Sequence, residues 1–294
     1  MVKRHTDSEK IWPFRWDLLL RYRYIEIIAL WEGRLTTRHL RETFGIGRQQ
    51  ASKDINEYLR SVGPGNLEYD KHLKGYKPSS SFTPQVTQGI ADEYLHLMAR
   101  NNDLSSMFEN LNLHSANIEV LSVPLRDVRP ELLRPLVTAA RQQKRLEVDY
   151  VSIHNPDRDG RIIVPHTIVH TGLRWHVRAW CEKNQDYRDF VLSRFRGDAE
   201  IMDDSEHSHE EDLCWHEQVT IRVVPEPRLT DAQKDVIAHD YGMVDGVLKV
   251  ETRGALVQYA LQALRIDTSI VQLKPEAQQI TVENFDALQS YLFH

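Results

Sequence analysis

The chain has 294 residues, of which 41% are hydrophobic and 27% charged, as in an ordinary globular protein of two or three domains. Its apolar runs stay well below the ~20 residues that span a bilayer, and its charged N-terminus lacks the apolar segment of a signal peptide. Its two cysteines, Cys181 and Cys214, form no disulfide framework, so the composition predicts a cytoplasmic protein and excludes the membrane and disulfide-rich secreted classes.

The formal net charge of −6 is spread unevenly along the chain. Residues 1–77 hold 15 Lys and Arg against 10 Asp and Glu, a net charge of +5. The remaining residues hold 22 basic and 33 acidic side chains, a net charge of −11. A basic head on an acidic body is the distribution expected of a protein whose N-terminal part binds nucleic-acid phosphates.

The first predicted element is a helix over residues 14–32. The apolar side chains that recur there near helical spacing are Trp16, Leu19, Leu20, Tyr24, Ile27, Ile28 and Trp31. A short second helix is expected over residues 36–44, where a threonine supplies the N-cap.

The segment that follows has the pattern of a helix-turn-helix. Gly45 allows the left-handed backbone of a tight turn, and a third helix is expected over residues 48–59. Within it, Ala51 and Ile55 recur on one face and would pack against the second helix. A helical bundle with a polar outer helix is the alternative, but the order of turn, small residue and apolar anchor favours DNA binding.

Residues 66–78 predict a hairpin that would serve as a wing, with basic residues near its tip. In the major groove, Arg pairs with guanine and Gln or Asn with adenine, whereas Ser and Lys suit phosphates. We therefore predict DNA contacts from the exposed face of the third helix, the start of the second helix and the wing. These residues are Thr37, Arg38, Arg48, Gln49, Gln50, Ser52, Lys53, Asn56, Lys71, His72 and Lys74.

The rest of the chain changes from helical to strand periodicity. Residues 85–114 are expected to be helical, and four short strands are expected over 146–153, 161–170, 173–181 and 188–195, which predict a small barrel or sandwich. The fold class is therefore multidomain α+β. The predicted segments are a winged helix-turn-helix domain at 1–84, a helical linker or dimerisation segment at 85–139, a β-rich domain at 140–204 and an α+β unit at 205–294.

The strand predicted at 173–181 carries an unusual set of charges. Arg174, His176 and Arg178 alternate onto one face, and Tyr150, Ser152, His166 and Arg194 are expected on neighbouring strands. Arginines around a small barrel suit a phosphate or carboxylate, which guanidinium binds in a bidentate manner. A solvated basic face, or ion pairs with Asp149, Asp186 and Asp189, is the alternative.

These features resemble a known family, the WYL-domain transcriptional regulators. Trp175-His176-Val177 stands in the place of the Trp-Tyr-Leu signature, of which only the tryptophan matches. The run over residues 164–195 is similar in particular to the BrxR/CapW group, repressors associated with BREX, CBASS and similar anti-phage systems. Its most specific parts are Pro165-His166, Arg174–Arg178 and Phe190–Arg194.

The resemblance implies a central Sm-like, SH3-type β-barrel over about 140–204 that senses an effector, and a C-terminal WCX-type dimerisation domain. It implies a homodimeric repressor on an inverted-repeat operator, regulating a defence operon of the BREX type. The effector it implies is anionic, with a nucleotide and a nucleic-acid fragment as the candidates. The ligand residues are expected to be Tyr150, Ser152, His166, Arg174, His176, Arg178 and Arg194.

Other classes stay open at this point. A zinc site is conceivable in the acidic segment 203–216, from His207, His209, Cys214 and His216. Ser152 with His166 could pair as nucleophile and base, but no orienting acid or oxyanion hole is evident. An activator and an RNA-binding module built on the barrel are further alternatives. We expect no metal, no cofactor and no enzymatic activity.

Overall fold

The computed structural model describes residues 14–105, 126–153, 156–157, 159–267 and 272–292. The chain divides into two compact units, one within residues 1–122 and one within residues 123–294. Among the described residues, no helix is both long enough and apolar enough to cross a membrane.

The N-terminal unit is a three-helix core with a hairpin and a fourth helix. Its elements are α1 (Trp16–Glu32), α2 (Thr37–Phe44), α3 (Arg48–Ser61), β1 (Leu67–Asp70), β2 (Gly75–Pro78) and α4 (Ala91–Ser105). Gly45 ends α2 with φ of 62°, the left-handed conformation that the predicted turn requires. Leu40, Ala51 and Ile55 are fully buried between α2 and α3, so the predicted anchors do pack together.

The buried face of α1 is the predicted one only in part: Tyr24, Ile27 and Ile28 are buried as expected, but other predicted residues are not. Trp16 is 74% exposed, Leu20 40% and Trp31 39%, whereas Tyr22 and Ile25 are fully buried. The buried face includes Glu26, whose charge breaks the apolar periodicity on which the prediction depended.

The fourth helix also differs from its prediction. It begins at Ala91 rather than at residue 85, because the backbone amides of Gln85, Val86 and Thr87 are hydrogen-bonded to the Glu26 carboxylate. The predicted continuation over 106–114 lies outside the described residues.

The C-terminal unit contains two antiparallel sheets. The first part comprises α5 (Pro130–Gln142), β3 (Lys144–Tyr150), β4 (Asp159–His170), β5 (Trp175–Cys181), β6 (Asp186–Val191) and β7 (Phe195–Asp204). The second part comprises α6 (Leu213–His216), β8 (Gln218–Pro225), α7 (Asp231–Asp240), β9 (Leu248–Arg253), α8 (Val257–Ala263), α9 (Pro275–Gln278), β10 (Ile280–Val282) and α10 (Phe285–Leu288). Their strand orders are β6-β5-β4-β3-β7 and β10-β8-β9.

The expected closed barrel is not formed. The outer strands β6 and β7 do not pair with each other in the described part of the chain, so the five-stranded sheet stays open. Helix α5 packs against β3, β4 and β7, and its Leu136 lies in one core with Leu146 and Val177. The helix therefore covers the apolar face that barrel closure would otherwise bury.

Candidate nucleic-acid interface and anion site

The predicted contact residues of α3 share its solvent-facing side. That side comprises Arg48, Gln49, Gln50, Ser52, Lys53 and Asn56, all of them exposed. The opposite side is fixed in the core by Ala51, Ile55 and Tyr58. The helix thus presents a row of Arg, Gln, Lys and Asn side chains of the kind that reads base edges and phosphates.

Two of the predicted contacts have partners within the protein. Gln50 donates from Nε2 to Oδ1 of Asp54 at 2.7 Å, and Asp54 forms an ion pair with Arg21 at 2.8 Å. Arg38, one turn before Glu42 on α2, pairs with it at 2.6 Å. These contacts orient Gln50 and Arg38, while the DNA contacts themselves stay predictions.

The predicted wing is a two-stranded hairpin. Strand β1 pairs with β2 from Leu67↔Pro78 to Asp70↔Gly75, and the basic residues Lys71, His72 and Lys74 are exposed at the tip. Wing and recognition helix therefore belong to one compact unit and present their basic side chains to solvent.

The predicted ligand residues fall into two groups. In the first group, the basic side chains are paired with carboxylates of the protein itself. Arg178 donates from Nε and Nη2 to both oxygens of Asp212, at 2.7 and 3.0 Å. His166 lies at a bulge of β4, and its Nε2 is 3.2 Å from the same carboxylate. Burial raises the pKa of Asp212, but the hydrogen bonds from His166 and Arg178 outweigh it and hold the pKa below its usual value.

A second carboxylate extends this cluster. Asp189 on β6 lies 3.5 Å from Nη1 of Arg178, and Tyr259 on α8 donates to Asp189 at 3.2 Å. Burial raises the pKa of the Asp189 carboxyl. Because Asp212 and Tyr259 come from beyond the first sheet and Arg178 and Asp189 from within it, we call these four residues and His166 the interdomain latch.

The second group surrounds His176. This side chain is 3% exposed, and its Nδ1 has no hydrogen-bond partner among the described residues. Burial, followed by the positive charges of Arg174, Arg194 and Arg126, lowers the pKa of His176 to about 4. The ring also contacts Tyr259 of the latch, with ring centroids 4.9 Å apart. A buried polar atom without a partner amid arginines is suited to bind an anion.

The remaining ligand predictions fall elsewhere. Tyr150 is 5% exposed, its hydroxyl accepts a hydrogen bond from the Val191 amide at 3.1 Å, and its ring packs edge-on against Phe190 and Phe195. Tyr150 is therefore part of the core. Ser152, after the end of β3, is half-buried and stays a prediction.

Sequence reasoning missed Asp212, Tyr259 and Arg126. Asp212 stands in a segment rich in acidic residues, so its sequence context does not distinguish it from its neighbours. In the structure it is the N-cap of α6, and its side chain accepts a hydrogen bond from the Trp215 amide. The alternative prediction, that the strand arginines form ion pairs, holds for Arg178 with Asp189. The closer partner of Arg178 is Asp212, which lies 34 residues away in sequence.

The histidines considered as zinc ligands in segment 203–216 contact other groups of the protein. Within the described ranges, no group of three or more His, Cys, Asp or Glu side chains is arranged to hold a metal ion. His207 contacts Glu211 at 2.9 Å, and His216 contacts the backbone carbonyl of His209 at 2.9 Å. Cys214 is exposed.

The depressed pKa of His176 predicts a pH dependence of stability. The unfolded chain takes up a proton near pH 6.5, whereas the folded chain does so only near pH 4, so stability falls as the pH is lowered through this window. Between pH 7 and pH 4.5 the expected loss attributable to His176 is about 2 kcal/mol, at about 1.4 kcal/mol per pKa unit. Urea unfolding at pH 7 and pH 4.5 measures it. His176→Gln should reduce the dependence of stability on pH, and the control His239→Gln, at an exposed site on α7, should leave it unchanged.

Comparison with known proteins agrees with the arrangement of domains. Residues 17–100 match the BrxR transcriptional regulator winged helix-turn-helix domain, residues 131–199 match the WYL domain, and residues 218–288 match the BrxR transcriptional regulator C-terminal dimerization domain. Together these three families account for most of the chain and confirm the resemblance stated from the sequence.

Full-length relatives carry one description, "DNA-binding transcriptional repressor CapW". The relative from Escherichia coli (strain KTE188) is 33% identical over 285 residues, covering 95% of this chain and 93% of its own. Those from Pseudomonas aeruginosa and Stenotrophomonas maltophilia are 30% and 29% identical, covering 95% and 98% of this chain and 93% and 95% of theirs. These descriptions and domains indicate a transcriptional regulator rather than an enzyme. The chain belongs to the CapW family of DNA-binding transcriptional repressors, with a BrxR-type winged helix, a WYL domain and a C-terminal dimerization domain.

Proposed function

We propose that this protein represses transcription by binding an inverted-repeat operator as a homodimer. The observation that carries the proposal is the exposed row of polar and basic side chains on α3, in a chain whose full-length relatives are repressors. A two-fold dimer presents two such helices to half-sites related by the same symmetry. In this proposal Arg48, Gln49 and Asn56 read bases, while Ser52 and Lys53 hold phosphates.

The proposed division of labour follows the predicted segments. Residues 1–84 bind DNA, 85–139 connect, 140–204 sense the effector and 205–294 dimerise. The BrxR/CapW group that the sequence resembles is associated with anti-phage systems. The operon under control is therefore proposed to be a neighbouring BREX-like defence operon, together with the regulator's own gene.

The effector is proposed to be an anion that binds at Arg174, His176 and Arg194. His176 contacts Tyr259, which is bonded to Asp189, and Asp189 lies beside Arg178 of the interdomain latch. An anion at His176 would therefore act on the contact between the sheet of the WYL domain and the dimerization domain. For induction it must bind the DNA-incompetent state more tightly than the competent state.

The first test is a fluorescence anisotropy titration of the full chain. The probes are duplexes selected by the protein from a random pool, at two salt concentrations. We expect an inverted repeat with an affinity that falls steeply with salt, and random duplex should compete poorly. Binding no tighter than to random duplex would contradict the proposal.

The recognition helix is tested by Arg48→Ala. We expect a loss of about 1–3 kcal/mol in operator binding, with relaxed preference at one base pair of each half-site, because a base contact is removed. Arg23→Ala, at a half-exposed position on α1 that faces α4 rather than the predicted contact residues, is the matched control and should change affinity much less. Equal effects of the two substitutions would show that Arg48 contributes charge without reading a base.

A further inference from the structure

The tip of the wing is rigidly built, although it is exposed. The Asp70 carboxylate accepts hydrogen bonds from the backbone amides of His72 and Leu73, at 2.8 and 3.0 Å. The bonds from the Leu73 and His72 amides lower the pKa of Asp70, so the carboxylate is charged and the turn is closed at neutral pH. The side chain of Asp70 thus fixes the backbone of the turn from within.

The other side of the turn is held by Arg34, which precedes α2. Its Nε donates to the Leu73 carbonyl at 2.7 Å, and its Nη2 lies 3.5 Å from the Lys74 carbonyl. Lys74 has φ of 48°, a left-handed conformation that is uncommon for a residue other than glycine. Such a conformation persists where the surrounding contacts impose it, and here the arginine bonds both adjoining carbonyls.

The base of the wing is fixed to the helix-turn-helix. Leu35 and Tyr76 exchange two backbone hydrogen bonds, of 2.7 and 2.8 Å. A Cβ at Gly75 would lie 2.9 Å from the Leu35 carbonyl oxygen, so only glycine allows this approach. The base of the wing is therefore held against the segment before α2 by backbone contacts.

These contacts present an apolar side chain at the far end of the wing. Leu73 is 45% exposed at the tip, and its sequence neighbours Lys71, His72 and Lys74 are exposed as well. A leucine surrounded by basic residues on a rigid projection matches the chemistry of minor-groove binding. In such binding an apolar side chain contacts the groove floor and sugars, while cations contact the flanking phosphates.

We propose that Leu73 is a specificity-determining residue of the wing, which disfavours G·C pairs in the minor groove beside each half-site, and that Arg34 is the residue that positions it. This inference rests on the proposed function, because it requires that α3 bind the operator. It adds two residues, Leu73 and Arg34, to the basic tip residues predicted from sequence. The bound surface is an A·T-rich flank, since the guanine N2 amino group projects into the minor groove where Leu73 would lie.

Inosine distinguishes minor-groove from major-groove recognition at this flank. An I·C pair lacks the N2 amino group, so it resembles A·T in the minor groove and G·C in the major groove. The experiment uses the full chain and the selected operator, with the flanking pairs set to A·T, I·C or G·C. We expect wild type to bind the A·T and I·C flanks alike and the G·C flank about tenfold more weakly.

Three variants make the test specific. Leu73→Ala should bind all three flanks within about threefold of one another, because the contact that the amino group obstructs is gone. Arg34→Gln should also reduce the discrimination between flanks, although Leu73 is still present. Lys71→Ala should weaken binding to all three flanks equally and lower the salt slope by about one, as expected for a lost phosphate contact.

Two results would overturn the inference. One is I·C flanks behaving as G·C flanks do, and the other is Leu73→Ala retaining the full preference against G·C. Either result, with tight and specific binding to the half-sites intact, refutes the wing contact and leaves the proposed repressor function standing. Loss of all specific binding by wild type would instead refute the proposed function and this inference together.

Discussion

Replacing Arg178 with alanine is expected to lower the free energy of unfolding of the C-terminal unit by about 3–5 kcal/mol, the usual cost of removing one partner of a buried ion pair. Arg178 is 8% exposed and lies between Asp212, which is 2% exposed, and Asp189. Without the guanidinium, two buried carboxylates face each other across the latch. One of them must then take up a proton or the site must open to water.

Arg174→Ala is the matched control for this substitution. Arg174 is only half-buried, forms no ion pair within the described part of the chain, and adds to the positive charge that lowers the pKa of His176. Its removal should change the free energy of unfolding by less than about 1 kcal/mol, as for most substitutions away from buried networks. It should also weaken binding of tripolyphosphate, used as the anionic probe, by about tenfold or more.

Urea unfolding and isothermal titration with tripolyphosphate separate the two roles. Unfolding follows the loss expected for Arg178→Ala, and titration follows the loss expected for Arg174→Ala. If Arg174→Ala destabilises the fold as much as Arg178→Ala, the division into a latch and an anion site is wrong. If tripolyphosphate binds Arg174→Ala as tightly as wild type, the effector site lies elsewhere.

Glu26→Ala should destabilise the N-terminal unit by about 3–5 kcal/mol, because it leaves several buried donors without an acceptor. The Glu26 carboxylate is fully buried and accepts from the hydroxyl of Tyr58 at 2.9 Å and of Thr87 at 2.8 Å. It also accepts from the backbone amides of Gln85, Val86 and Thr87. One side chain of α1 therefore joins α3 to the segment that leads from the wing to α4.

Hydrogen exchange measures this effect locally. In Glu26→Ala the amides of Val86 and Thr87 should lose protection, and the amides of α3 around Tyr58 should exchange faster as well. Glu32→Ala is the control on the same helix, since Glu32 is exposed and its carboxylate accepts a hydrogen bond from the Tyr94 hydroxyl at 3.4 Å. Unchanged protection in α3 would show that Tyr58 holds the recognition helix without the carboxylate.

The sequence by itself determined the elements whose signals are local. Gly45 and the spacing of Ala51 and Ile55 predicted the helix-turn-helix, because turn geometry and helical periodicity depend on neighbouring residues. Alternation along residues 173–181 predicted β5 and placed His176 and Arg178 on one face. The family resemblance then supplied the order of domains, which the comparisons confirm.

Only the tertiary structure decided which of these side chains have partners. Arg178 and Asp212 are 34 residues apart, and Glu26 meets the amides of residues 85–87 about 60 residues away, so no window of sequence contains both partners. A buried charge also looks like a surface residue in a hydropathy pattern, so the face predicted for α1 left out the buried Glu26 and included the exposed Trp16 and Trp31. The sheet stays open for a similar reason: whether a helix or a strand covers an apolar face depends on packing between distant elements, not on the alternation within each strand.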